Sequence, residues 1–270
     1  MTVSPIPIPP FAMRQLVGPT AESDFDNPTG AIPIRGITEE DSRSIFDFGC
    51  GCGRIARQLL QMARPPDRYM GIDIHRGMIS WCRRHLEPLN AGFRFHHHDV
   101  YNRSFNPEAS ARTAPFPIDQ ERFRVVVAWS VFTHLLQDQA EFYLREVARS
   151  LERNGILVST WFLFDRSTFP MLQEFQAALY INPTDPTNAV IFDRRWLQQL
   201  TKDVGLTITF VKPPAIRGYQ WEIHMRPSEP GIQAVGFPPD RAPIGSLPPP
   251  APHHRLDTIG DENAQNDRSE

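Results

Sequence analysis

Gly49, Gly51 and Gly53 alternate with Cys50 and Cys52 at the end of the apolar run Ser44-Ile45-Phe46-Asp47-Phe48, and Ile55 to Met62 then carry a helical pattern. Strand, tight glycine turn and helix N-terminus, in that order, make a cradle for a nucleotide. Glycine lacks a Cβ, so backbone N–H groups come close to a ligand, and the first turn of a helix leaves donors unpaired. The spacing narrows the ligand. A dinucleotide fold reads G-x-G-x-x-G around a pyrophosphate. Here the third glycine comes one residue early, and Asp47 stands two residues before the first. A carboxylate in that place suits a cation better than a phosphate.

Two further strands are each closed by an acid. Arg68 to Asp73 is the first, and Asp73 lies 20 residues beyond Gly53, near the separation at which nucleotide folds place a carboxylate on the ribose hydroxyls. Met78 to Glu87 then reads as a helix with Ile79, Cys82 and Leu86 on one stripe. Phe93 to His98 alternates as a second strand and runs into Asp99-Val100. His96, His97 and His98 are consecutive, but side chains on a strand take opposite faces, so all three do not converge and no metal is expected.

Arg124 to Trp129 is a continuous β-branched run, the signature of a central parallel strand covered on both faces, and Ser130-Val131-Phe132-Thr133-His134-Leu135 follows it. A helix is expected from Asp138, with Phe142, Leu144, Val147, Ala148 and Leu151 on its apolar side and Gly155 as a left-handed stop. The strand Ile156 to Phe162 comes next, then a helix over 169–179 and the loop 182–188. Trp196 to Leu200 reads as helix, and Leu206 to Val211 with Tyr219 to Met225 read as a closing pair of strands.

On the acid-x-G-x-G-x-G stretch from Asp47 to Gly53, with Asp73 and Asp99 downstream, residues 44–226 resemble the class I S-adenosylmethionine-dependent methyltransferases. The resemblance implies an α/β fold, a Rossmann-like three-layer sandwich around a seven-stranded, mostly parallel sheet with a terminal antiparallel strand. It implies S-adenosyl-L-methionine as cofactor, held by Asp47, Gly49, Cys50, Gly51, Gly53, Asp73, Ile74, Asp99, Val100 and Trp129. In that family the Asp73 position holds the ribose and the Asp99 position accepts from the adenine amino group, with the Val100 backbone N–H offered to the ring. The S-V-F-T-H-L stretch resembles one found in small-molecule and sugar methyltransferases, and neither a D/N-P-P-Y motif nor a metal-binding acid follows the Arg124 to Trp129 strand. The implied reaction is metal-independent methylation of a small molecule, at a hydroxyl of a sugar or other metabolite, with N-methylation of an aminosugar or natural product as the alternative. A methyltransferase-like protein that binds without turnover is the rival from another class. His134, five residues past its strand, is the candidate base, with Asp165 and His75 as competitors near other strand ends.

The flanks divide the chain into an arm or lid over 1–43, the domain over 44–226 and a proline-rich tail over 227–270, where nine of 44 residues are proline and disorder is expected. Phe11, Met13, Leu16, Val17 and Phe25 are the apolar anchors of the arm, and the insert 163–190 is expected to build the acceptor pocket together with it. With 28 basic residues against 31 acids, no positive field draws nucleic acid or an anionic membrane. The start has neither a basic n-region nor an apolar h-region, and no run approaches the roughly 18 apolar residues of a membrane span. Three cysteines, two of them inside the glycine turn, read as reduced thiols of a cytoplasmic protein. The oligomeric state is not legible.

Overall fold

The computed structural model describes residues 6–216 and 218–238. The arm begins with α1 (Phe11–Leu16), and β1 (Ser44–Phe48) opens the sheet, followed by α2 (Arg54–Leu60), β2 (Arg68–Asp73), α3 (Arg76–His85) and β3 (Phe93–His97). The second half runs β4 (Phe123–Ala128), α4 (Gln137–Ser150), β5 (Leu151–Phe164), β6 (Ala178–Tyr180), β7 (Val190–Asp193), α5 (Arg194–Asp203), β8 (Leu206–Lys212) and β9 (Trp221–Pro227). Strands β3, β2, β1, β4 and β5 lie side by side and parallel. β9 then pairs antiparallel with both β5 and β8, which completes seven strands. This is the mostly parallel Rossmann-like sheet that the resemblance implies. The long β5 outruns β9, and its last residues pair instead with β7, which carries the short β6.

Burial on both faces explains the sequence of the central strands. Phe46, Val126, Ala128 and Leu157 face a core shared with α4 and α5, while Ile45, Val125, Val127 and Val158 face one shared with α2 and α3. A strand covered on both sides has no polar alternation. Asp47 breaks that rule in β1, and it does so at the end that faces the site.

Three local expectations fail. α4 ends at Ser150, and Gly155 is no helix stop: it lies inside β5, where residues 151 to 156 span the register shift against β4. No helix forms over 169–179; beyond a short turn at Arg166–Thr168 the chain is irregular until β6. The Arg166 guanidinium takes the carbonyls of Leu172, Gln173 and Gln176 and the Asp193 carboxylate, so carbonyls a helix would pair internally are occupied. The tail does not begin at 227. Ser228 N–H donates to Gly205 O at 2.8 Å, Val235 N–H donates to Ile208 O at 2.8 Å, and the Phe237 ring stands 5.8 Å from Trp221. Residues 239–270 of the expected tail lie outside the described residues.

A buried side chain of α2 grips the arm at two places. The Arg57 guanidinium donates to Ile6 O and Pro7 O at 3.0 Å, to Phe25 O at 2.6 Å and to the Asp26 carboxylate at 2.6 Å. No helix among the described residues is long and apolar enough to cross a membrane.

Candidate functional site

The site is built where β1, β2 and β4 end. Gly49 and Cys50 turn the chain back by donating their N–H groups to Ile72 O at 2.8 and 3.0 Å. Gly49 has φ 82° and Gly51 φ 54°, a region that costs a residue with a Cβ strain. Space is as tight as geometry. A Cβ on Gly49 would stand 2.3 Å from Val131 Cγ2, and one on Gly51 2.8 Å from Val17 Cγ1. The turn is thus packed between the loop after β4 and the arm, and Gly53 closes it as the N-cap of α2.

Asp73 ties the turn to the end of β2. Its Oδ2 accepts the Gly51 N–H at 2.8 Å and its Oδ1 accepts the His75 N–H at 2.7 Å. Burial pushes its carboxyl above the usual range, against the pull of those two donors. Asp47 is buried beneath the turn, where the Tyr69 hydroxyl donates to it at 2.7 Å. Burial raises the Asp47 carboxyl to about 7, the Tyr69 bond and the Arg54 charge opposing it only in part.

Two clefts flank the turn and share Val17, Gly18, Gly49, Gly51, Trp129 and Ser130 as walls. The first, about 430 Å³, is completed by Asp73, Ile74, His98, Val100 and His134 among others. The second, about 910 Å³, takes Asp47 and Cys50 from the turn, Thr160 and Phe162 from β5, and Tyr219, Gln220 and Glu222 from β9 and the segment before it. Glu222 is buried, with Oε1 2.9 Å from His224 Nε2 and Oε2 3.4 Å from Arg35 Nε and 3.8 Å from Lys212 Nζ.

The expected site residues therefore divide. Gly49, Gly51 and Trp129 stand in both clefts, Asp73, Ile74, Val100 and His134 in the first, and Asp47 and Cys50 in the second. Gly53 and Asp99 are in the wall of neither. The Asp99 side chain is 59% exposed and accepts Asn106 Nδ2 at 3.0 Å, a bond that holds its carboxyl below the usual range. The Val100 N–H donates to His98 O at 2.9 Å. His134 Nδ1 donates to Thr187 O at 2.9 Å, which binds the short turn after β4 to the insert. Of its competitors, His75 caps α3 by accepting the Met78 N–H at 3.3 Å, and Asp165 caps the Arg166–Thr168 turn away from both clefts. The insert 163–190 contributes no wall residue to either cleft, contrary to expectation; residues 212–222 do so instead. No motif marks that segment. Its place follows only from β9 inserting beside β5.

Ser130 is a site residue that sequence reading passes over. Its φ is 61°, a conformation worth about 1–3 kcal/mol of strain in a residue other than glycine. Two bonds hold it there: its N–H donates to Thr160 Oγ1 at 2.8 Å, and Gln220 Nε2 donates to its Oγ at 2.6 Å. Of the three consecutive histidines, two turn to different partners, His97 Nε2 to Ile74 O at 2.9 Å and His98 Nε2 to Tyr143 OH at 2.8 Å. Among the described residues no three His, Cys, Asp or Glu side chains are placed to hold a metal ion. The Cys50 and Cys82 thiols both lie 3.8 Å from Gly51 O, and burial pushes both well above the ordinary thiol range.

Residues 45–155 match the family model described as a methyltransferase domain. Solved structures of similar fold include a magnesium protoporphyrin IX methyltransferase from Synechocystis PCC 6803, at 12% identity over 69% of this chain and 75% of that one, TM-score 0.45. A TehB-like S-adenosylmethionine-dependent methyltransferase from Corynebacterium glutamicum is 17% identical over 69% and 81%, TM-score 0.42. An O-methyltransferase family protein from Burkholderia thailandensis is 14% identical over 69% and 51%, TM-score 0.48.

Proposed function

We propose that the chain, whose residues 45–155 match a methyltransferase-domain model, is a class I S-adenosylmethionine-dependent methyltransferase that methylates a hydroxyl of a small polyhydroxylated acceptor held in the second cleft. One observation carries the reading: the two clefts meet at the glycine turn and Ser130, so a ligand along the first presents one end to the second. The residues fit the cofactor. Gly49 and Gly51 lack the Cβ that would fill the turn, Asp73 offers a carboxylate to ribose hydroxyls, and Ile74 with Val100 supplies apolar walls for a ring. Asp47, on the second-cleft side, is the acid for an ammonium group. S-adenosylmethionine supplies a methyl on a sulfonium, an electrophilic carbon open to in-line attack by an oxygen.

Positioning the acceptor then contributes most of the rate. Trp129, Phe162 and Tyr219 give flat apolar faces, and Ser130, Thr160, Gln220 and Glu222 give hydrogen-bonding groups. Aromatic faces interleaved with short polar side chains suit a sugar-like ring better than a flat aromatic acceptor. Glu222 is the carboxylate placed to take the hydroxyl proton, with buried His224 as its partner. Burial lowers the His224 pKa, so the ring is neutral and donates from Nε2 to Glu222. In this reading His134, in the first cleft and bound to Thr187, fastens the loop and is not the base.

The test is release of S-adenosylhomocysteine over panels of glycosides, aminosugars and phenols, with Glu222→Gln beside the parent protein. Turnover with glycosides that falls about a hundredfold in the variant supports the reading, that being the size of a typical general-base contribution. Turnover with amines alone, or an unchanged rate in Glu222→Gln, overturns it.

A further inference from the structure

The two groups expected to read the adenine ring are not presented to the first cleft. The Asp99 carboxylate lies outside its walls and is held by Asn106, and the Val100 N–H is donated to the His98 carbonyl. A different polar group stands in the wall. His98 is 3% exposed, and its ring is fixed against Phe116 and Tyr143 with centroids 6.0 and 5.6 Å away. Its Nε2 meets the Tyr143 hydroxyl at 2.8 Å, and the Ala114 N–H donates to that same hydroxyl at 3.4 Å. The Tyr143 oxygen thus receives one proton and has its own to give. Given to His98 Nε2, it leaves the histidine proton on Nδ1, the other side of the ring. Among the described residues Nδ1 has no hydrogen-bond partner.

We propose that His98 recognises the adenine of the cofactor by donating from Nδ1 to a ring nitrogen, with Tyr143 as the positioning residue that sets its tautomer. The proposal rests on the first cleft being the adenosine site. Burial lowers the His98 pKa to about 4, so the ring near pH 7 is a neutral donor of one proton and suits an uncharged purine nitrogen. His98 directly follows β3, and Asp99 and Val100 come next in the chain, so the ring lies beside the two groups it replaces in this reading.

The experiment is calorimetry of S-adenosylhomocysteine and of its 1-, 3- and 7-deaza analogues, in which one ring nitrogen is replaced by C–H. The parent protein should bind one analogue about tenfold more weakly than S-adenosylhomocysteine. His98→Phe should bind S-adenosylhomocysteine about tenfold more weakly than the parent and lose the discrimination, while Asp99→Asn keeps both within about twofold. Tyr143→Phe should weaken the discrimination with less loss of affinity, and His98→Gln, which retains a donor, should recover part of it. Melting temperatures separate lost recognition from lost folding. Discrimination unchanged in His98→Phe, or carried by Asp99, overturns the proposal while leaving the cofactor site standing. A parent protein that binds no S-adenosylhomocysteine overturns the cofactor reading itself.

Discussion

The Asp73 carboxylate accepts the Gly51 backbone N–H at 2.8 Å, so the side chain expected to hold a ribose also holds the shape of the glycine turn. Site and scaffold share one residue there. Asp73→Ala should weaken S-adenosylmethionine binding about tenfold to a hundredfold, the equivalent of one charge-assisted bond of about 1.5–3 kcal/mol. It should also lower the melting temperature, because the Gly51 and His75 N–H groups lose their acceptor. Calorimetry and thermal unfolding read the two effects separately; unchanged affinity removes Asp73 from the cofactor site.

Asp47 makes stability depend on pH in an unusual direction. Its folded pKa, about 7, is above the unfolded value of 3.8. The native state therefore binds more protons than the unfolded state between those values, and the stability present below about pH 4 is lost as pH rises to about 7. Asp47→Asn should flatten that slope. Unfolding by urea at pH 5 and pH 7.5 should show the variant gaining a few kcal/mol on the parent at the higher pH. An equal difference at both pH values would mean that Asp47 titrates normally.

His134→Ala should cost about 1 kcal/mol of stability, the worth of its bond to Thr187 O. Turnover should fall less than tenfold. A hundredfold loss of turnover at unchanged melting temperature would return His134 to the role of base that its sequence position suggests.

A chain ending at Arg226 should be less stable than the full protein by about 2 kcal/mol or more, from lost burial of Phe237 and the lost bonds of Ser228 and Val235. That shift is about 4–8 °C in melting temperature for a domain of this size. An unchanged melting temperature would show that residues 227–238 contribute nothing.

What the sequence made legible was whatever local chemistry dictates. The doubly buried run Val125 to Ala128 and the turn Gly49 to Gly53 announce strand and cradle, since neither pattern suits another structure. Asp73 is readable because strand length and helix length fix its distance from the turn. The failures were long-range. Nothing near Pro170 or Phe175 in sequence says that Arg166 will take the carbonyls of 172, 173 and 176. Nothing near Gln220 says that its amide will reach Ser130, 90 residues away, and hold it at positive φ. The second cleft is walled by residues that only such contacts bring together, so it was invisible, while the glycine turn beside it was plain.

The Arg57 clamp sets how the first cleft exchanges its contents. It grips the arm on both sides of the stretch that covers the turn, at residues 6 and 7 and again at 25 and 26. Gln15 to Gly18 form cleft wall between those two anchorages, and Val17 lies where a Gly51 Cβ would be. A strap fastened at both ends opens by bowing rather than by peeling from its free end. Ligand exit is then governed by the stiffness of the 17 residues, 8–24, between the anchorages.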